Sequence, residues 1–364
     1  MFDWVPIQSY AYYYFQILLV VMTGILLHSQ LLPIDDSKNK RFIKFTGILL
    51  FFFTLLYIGL RPINGVFIDM KTYAETFEQL REGYQLRESG DFGFNFFIKA
   101  SSKIISVELF FFICAVIYIL PLWLLTRKLF PNYWFYAFYI LVATFSFWSY
   151  GTNGIRNGMA TSIFLFSFAF FEKKWLLGLI LFLAISFHQT MTLPALAFGL
   201  TLLNNKPKYY IILWLVAIPL SIVLGSFWET FFEGLGFGGE RTSYLTDDEY
   251  AEAFSSTGFR WDFLLYSATA VFAGYYYIFK KDFQDKLYHH LFNIYLFSNA
   301  FWILVIRASF SNRFAYLSWF MIGLVIIYPI LKQPRNKLNN KFIGKIILLY
   351  FMFTYLMNVI LIKK

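Results

Sequence analysis

The sequence predicts an all-helical, polytopic membrane protein, and three observations carry that prediction. Hydrophobic residues fill 59% of the 364 positions and charged residues only 14%, with a mean hydropathy of +0.58. A soluble core of this length has no room for so much apolar side chain. Apolar runs of about 20 residues, the length that crosses a hydrocarbon core, recur along the chain. Lysine and arginine fall between those runs in an order that gives each connection a side.

Taken in order, the runs occupy residues 10–33, 43–60, 104–126, 131–150, 209–228, 262–279, 287–306, 314–331 and 343–361, with a shorter one at 157–171. The start, Met1-Phe2-Asp3-Trp4, lacks the basic stretch of a signal peptide, so the first run is expected to remain as a span. Lys38, Lys40, Arg41 and Lys44 put the next connection in the cytoplasm and the N-terminus outside. Alternation then brings Arg127-Lys128, Lys173-Lys174 and Lys206 with Lys208 to the inner side. The last two clusters share a side only if residues 175–203 hold two short helices. Ser186, His188, Gln189 and Thr190 interrupt that stretch, and a polar turn at depth is tolerable where it lines a protein cavity. Lys280, Lys281, Lys286 and the cluster Lys332, Arg335, Lys337, Lys341 and Lys345 complete the pattern. About twelve transmembrane segments result, one pair short and broken near residue 188, with both termini outside.

Two outer loops are long. In residues 61–103, Met70, Tyr73, Phe77, Leu80 and Tyr84 recur at helical spacing among Lys71, Glu75, Glu78, Gln79, Arg81 and Glu82, which reads as an amphipathic helix lying on the outer leaflet. Residues 229–261 are glycine-rich and then acidic. No separate soluble domain, long repeat or low-complexity tract interrupts the chain. Cys114 is the single cysteine, so an internal disulfide and a thiolate metal cluster are excluded. The net charge of +10 reflects sidedness in a membrane protein, not a nucleic-acid partner.

On this topology lysine gathers inside and most of the arginine outside. Lysine inside is the ordinary orientation signal. Arginine outside needs another reason: its planar, permanently charged fork suits phosphate oxygens, or it bridges to the many outer acids. Both readings stand for each arginine. Arg156, with Asn153, lies where the segment 153–160 opens a helix, and a cation at a helix N-terminus is unfavourable unless an anion is near. Arg313 repeats that placement after Arg307, Ser309, Ser311 and Asn312. Arg61 leaves a membrane helix, and Arg241 follows Glu240 in the acidic loop. Asp69 sits about where the interfacial helix begins, as an N-cap or as a general base. His188 at the polar break is either a neutral imidazole bonded to Ser186 or Thr190, or a base. His28, His289 and His290 receive no role, and residues 90–95 read as a structural turn. Thr246-Asp247-Asp248-Glu249 reads as a capping box before a metal site. No Walker loop, dinucleotide fingerprint or His/Cys metal spacing is present, so ATP-driven and redox chemistry have no support.

These residues resemble the EpsG family, relatives of the Wzy-type polymerases that join lipid-linked oligosaccharide repeats into bacterial exopolysaccharide, capsule or O-antigen. The resemblance runs from about Arg61 to Arg313. It rests on the Arg, Gly, Asp and Tyr of residues 61–73, the Gly-Phe turn at 93–94, Asn153 with Arg156 and Ala160, His188-Gln189-Thr190 before Pro194, and Arg313. The turn lacks the Glu-Pro of many members, with Asn95 near that place. The resemblance implies a GT-C-like glycosyltransferase in the bacterial cytoplasmic membrane, its site facing the extracytoplasmic side. It implies an undecaprenyl-diphosphate-linked glycan as donor and a second lipid-linked repeat as acceptor, in company with a flippase and a chain-length regulator. On that reading His188, then Asp69, is the base. Arg156 and Arg313, with Arg61, Arg241 and Arg307, hold the diphosphate beside Asn153 and Tyr73, without metal or cofactor. Two other classes remain: a transporter or flippase of the same lipids, and a membrane O-acyltransferase.

Overall fold

The computed structural model describes residues 4–85, 90–225, 227–234, 258–308, 311–334 and 338–361, and for residues 229, 233, 234 and 311–313 the main chain only. Every regular element among them is helical. Six helical stretches are long and apolar enough to cross a membrane: Ile7–Leu31, Ser37–Gly59, Val107–Leu129, Pro207–Leu224, Phe314–Leu331 and Asn340–Ile360. The other expected segments are shorter, broken or, like the 19-residue helix Lys286–Leu304, less apolar. The chain divides into two units, one of residues 1–188 with 330–364 and one of residues 189–329.

The first unit holds α1 (Tyr10–Leu31), α2 (Ser37–Gly59), α3 (Ile68–Arg81), α4 (Phe92–Ser102), α5 (Val107–Leu129), α6 (Trp134–Val142), α7 (Phe145–Thr152), α8 (Ile155–Ser167) and α9 (Lys174–Phe187). Side chains mark where several helices begin. The Asp36 carboxylate accepts from Lys38 N at the start of α2, and Ser106 Oγ accepts from Leu109 N at the start of α5. α5 packs on α2, α6 and α8, and α8 packs on α9. All nine residues of α6 are buried, as suits a helix that is apolar on every side.

The span expected at 131–150 is in fact two helices. The chain turns at Ala143 and Thr144, and the end of α6 leaves carbonyls without helical donors. Tyr14 Oη donates to Val142 O at 2.9 Å, and Thr144 Oγ1 donates to Ile140 O at 3.0 Å. With no water to cap them, broken helix ends inside a bilayer need such partners. Tyr10 and Tyr57 do the same where α2 ends, each hydroxyl donating to the other's carbonyl while the rings stack at 4.3 Å.

The break expected near His188 is present. α9 stops at Phe187, His188 is extended (φ −152°, ψ 119°), and a 3-10 turn, Gln189–Met191, leads on into the second unit. That unit contains α10 (Thr192–Leu203), α11 (Pro207–Leu224), α12 (Phe227–Gly234), α13 (Trp261–Tyr275), α14 (Lys286–Leu304), α15 (Ser311–Trp319) and most of α16 (Ile322–Leu331). Pro207 starts α11, a position where its missing N–H costs nothing. Buried Asn299 ties the helices together: it accepts from Trp214 Nε1 at 2.7 Å and donates to Ser267 Oγ and Ser318 Oγ. Pro329 sits inside α16 and has no N–H for Val325 O, and Tyr288 Oη donates to that carbonyl at 3.0 Å. α17 (Asn340–Tyr355) returns to the first unit and packs on α1. Outward faces stay apolar, as in α11, where Ile212, Leu215, Val216 and Val223 are exposed. Such a surface calls for lipid.

The amphipathic stripe of residues 70–84 forms α3, with two differences from expectation. Met70, Phe77 and Leu80 are buried against protein, with the Phe77 and Phe110 rings 5.2 Å apart, so the stripe faces α5 and not lipid alone. Tyr84 lies beyond the helix, after Gly83 turns the chain at φ +97°, and is exposed. Most of the expected acidic loop, residues 235–257, lies outside the described residues.

Candidate functional site

Three helix starts converge in the first unit. Asn64 forms a turn by accepting from Val66 N with its side chain and from Phe67 N with its carbonyl, which launches α3. Asp69 is the second residue of that helix. Phe67, not Asp69, holds the N-cap position, and it offers no side-chain cap. Asp69 is therefore an acid in the first turn, where the helix dipole favours negative charge, and it lies within electrostatic reach of both Arg61 and Arg156.

Arg156 is the second residue of α8, so the expected cation at a helix start is there. The anion it requires is also there, supplied by the protein. Arg156 Nη1 donates to Asp91 Oδ2 at 2.6 Å, with the two side chains only 17% and 10% exposed. Tyr73 and Phe94 put their rings 5.7 and 5.6 Å from the guanidinium carbon; burial works against its charge, and Tyr73, Asp91 and Asp69 together outweigh that cost. The Tyr73 and Phe94 rings pack at 5.1 Å. The result is a cation paired with one acid, with a second within electrostatic reach and two aromatic rings against it, in surroundings where each charge acts more strongly than in water.

Asp91 is the residue that the sequence did not single out. It occupies the N-cap position of α4 without capping it, because its carboxylate turns to Arg156, 65 positions away. The signal available was an acid directly before an apolar helix. Gly93 explains how the turn is seated: a Cβ there would strike Ser186 Oγ and come within 2.8 Å of Ser186 Cβ, so only glycine lets α4 meet α9 this closely. Ser186 is two residues before His188, and the turn that carries Asp91 thus packs against the helix end that carries His188. His188 is buried, and its N–H donates to Ala184 O at 3.1 Å. Asn153 is exposed between α7 and α8, with its N–H on Ser149 O.

Arg61 stands apart in character. Its side chain is 5% exposed, Nη1 donates to Ile58 O, and the guanidinium lies over the Phe67 ring at 5.3 Å. Nε and Nη2 are buried and make no hydrogen bond. Burial pulls its pKa down, to about 10, so it keeps its charge at neutral pH. It borders a small cavity with Cys114, Tyr118 and Ile155 that admits a water-sized body and nothing as large as a diphosphate.

Of the three candidate arginines in the second unit, only Arg307 has a described side chain. Arg307 is exposed, with Nη1 3.4 Å from where a Cβ on Gly225 would be. Arg313 is the third residue of α15, and its side chain lies outside the described residues, as does the whole of Arg241. The same holds for the Thr246 to Glu249 capping box.

No curated protein and no solved structure matches the sequence. The EpsG family model does, over residues 44–363. A multi-pass helical chain with a buried arginine–acid cluster, matched along most of its length, belongs to the EpsG family, whose usual role is that of a Wzy-like polysaccharide polymerase.

Proposed function

We propose that this protein is a glycosyltransferase of the bacterial cytoplasmic membrane that polymerises undecaprenyl-diphosphate-linked oligosaccharide repeats into exopolysaccharide, capsule or O-antigen. The observation that carries the reading, beyond family membership, is Arg156, nearly buried and paired with Asp91 beside the Tyr73 ring. In this reading about twelve segments form a GT-C-like scaffold whose site opens to the extracytoplasmic side. An acceptor sugar hydroxyl attacks the anomeric carbon of the donor glycan. The bond from that carbon to the diphosphate oxygen breaks, and its electron pair leaves with undecaprenyl diphosphate. Arg156 stabilises the developing charge. His188, or in its place Asp69, takes the hydroxyl proton. Asn153 and Tyr73 contact substrate. No metal is needed where fixed guanidinium groups supply the positive field.

The test is direct. Purified protein in lipid nanodiscs, given a synthetic lipid-linked repeat, should produce a ladder of longer glycans, and Arg156→Ala should abolish it. Unchanged chain length with acylated sugar, or lipid movement across vesicles without elongation, would replace the polymerase by one of the other two classes.

A further inference from the structure

A buried carboxylate hydrogen-bonded to a guanidinium at 2.6 Å occupies the position that a phosphate oxygen would take. We propose that Asp91 is an internal stand-in for the diphosphate: the lipid diphosphate displaces it from Arg156 on binding, and Asp91 returns to the guanidinium as the product leaves. The inference rests on the proposed function for the identity of the ligand, but the exchange itself needs only an anionic diphosphate.

Three observations point this way. First, the Asp91 side chain is 10% exposed, yet it does not cap the helix it begins, so its position serves Arg156. Second, Asp91 stands at the N-cap, just outside α4 and with a side chain that makes no cap bond there, whereas Arg156 is fixed in the first turn of α8. In an exchange the acid moves and the cation stays. Third, Tyr73, which hydrogen-bonds Arg156, stays in α3 when Asp91 departs, with Asp69 of the same helix within electrostatic reach, so the guanidinium keeps an aromatic hydroxyl that can act on a phosphate. The arrangement also meets a turnover requirement. A polymerase must release undecaprenyl diphosphate after each addition, and a bare buried arginine would hold that product. An internal competitor lowers the apparent affinity by the fraction of molecules in which Arg156 is open.

The experiment measures binding and elongation separately. Full-length protein in nanodiscs is titrated with farnesyl diphosphate and with inorganic diphosphate, for the natural sequence and for Asp91→Asn, Asp91→Ser and Arg156→Ala. Removing the competing carboxylate should tighten farnesyl diphosphate binding about tenfold or more, and slow elongation under conditions where product release limits the rate. Arg156→Ala should remove binding of both ligands. If inorganic diphosphate alone shows the tightening, a lipid-linked ligand is excluded and the site takes a free anion. Binding that weakens or stays the same in both Asp91→Asn and Asp91→Ser, with thermal unfolding near that of the natural sequence, overturns the exchange. Binding that tightens in a protein that makes no glycan ladder keeps the exchange and removes the polymerase. A ladder with unchanged binding does the reverse.

Discussion

Gly158→Ala tests whether the position of α8 sets the site. Gly158 is two residues past Arg156, and a Cβ on it would come within 2.6 Å of the Tyr150 carbonyl oxygen and 3.2 Å of the Tyr118 ring. The obstructing atom is main chain of α7, so it does not rotate away. Ordinary contact begins near 3.4 Å, and the start of α8 would have to withdraw by the difference, about 0.8 Å. Overpacking of this kind costs about 1–3 kcal/mol. Alanine returns about 1 kcal/mol in helix propensity, which leaves a net loss of roughly 0–2 kcal/mol. The functional effect should exceed the loss of stability. A withdrawal of 0.8 Å would stretch the 2.6 Å contact between Arg156 and Asp91 past the range of a charge-assisted hydrogen bond. Misplacement on this scale costs on the order of 10²-fold in rate. Thermal unfolding in detergent and glycan elongation are the two assays. Gly178→Ala is the control, because nothing lies within 4 Å of a Cβ there. If Gly158→Ala matched the natural sequence in both assays, the claim that close approach of α7 and α8 positions Arg156 would be wrong.

Three other outcomes follow from the same geometry. Arg156→Ala strands the buried Asp91 carboxylate and should cost about 3–5 kcal/mol; Arg156→Ala with Asp91→Asn should recover most of that stability without restoring elongation. Tyr288→Phe leaves Val325 O without a donor and should cost about 1–3 kcal/mol, measured by thermal unfolding, and Pro329→Ala, which supplies an N–H, should offset the loss. Arg61→Met removes a buried cation with two unmet donors, so stability should hold or rise by about 1–4 kcal/mol, measured by thermal unfolding; a clear loss of stability would mean that the guanidinium serves the fold.

Much of this architecture was legible because lipid makes demands that composition records. The break at His188 could be read because Ser186, His188, Gln189 and Thr190 are conspicuous inside an apolar stretch. The break at Ala143 and Thr144 could not, since residues 131–150 stay apolar through it and the cap on Val142 comes from Tyr14, far away in the chain. The same division holds at the site. Arg156, Asp69 and Tyr73 were visible from helix starts and spacing. Asp91 was hidden because the partner that gives it meaning is 65 residues distant, and a turn containing Gly, Asp and Asn looks structural wherever it occurs. Arg61 was named for its charge, but its two unmet donors are a property of packing alone.

The tyrosines that cap broken helices also bear on how the chain is made. Synthesis runs from the N-terminus, and Tyr14 precedes Val142 and Tyr288 precedes Val325. In each pair the hydroxyl emerges before the carbonyl it satisfies. A defective helix leaving the ribosome therefore finds its donor already inserted, and the interval during which a bare carbonyl must be tolerated in lipid is kept short.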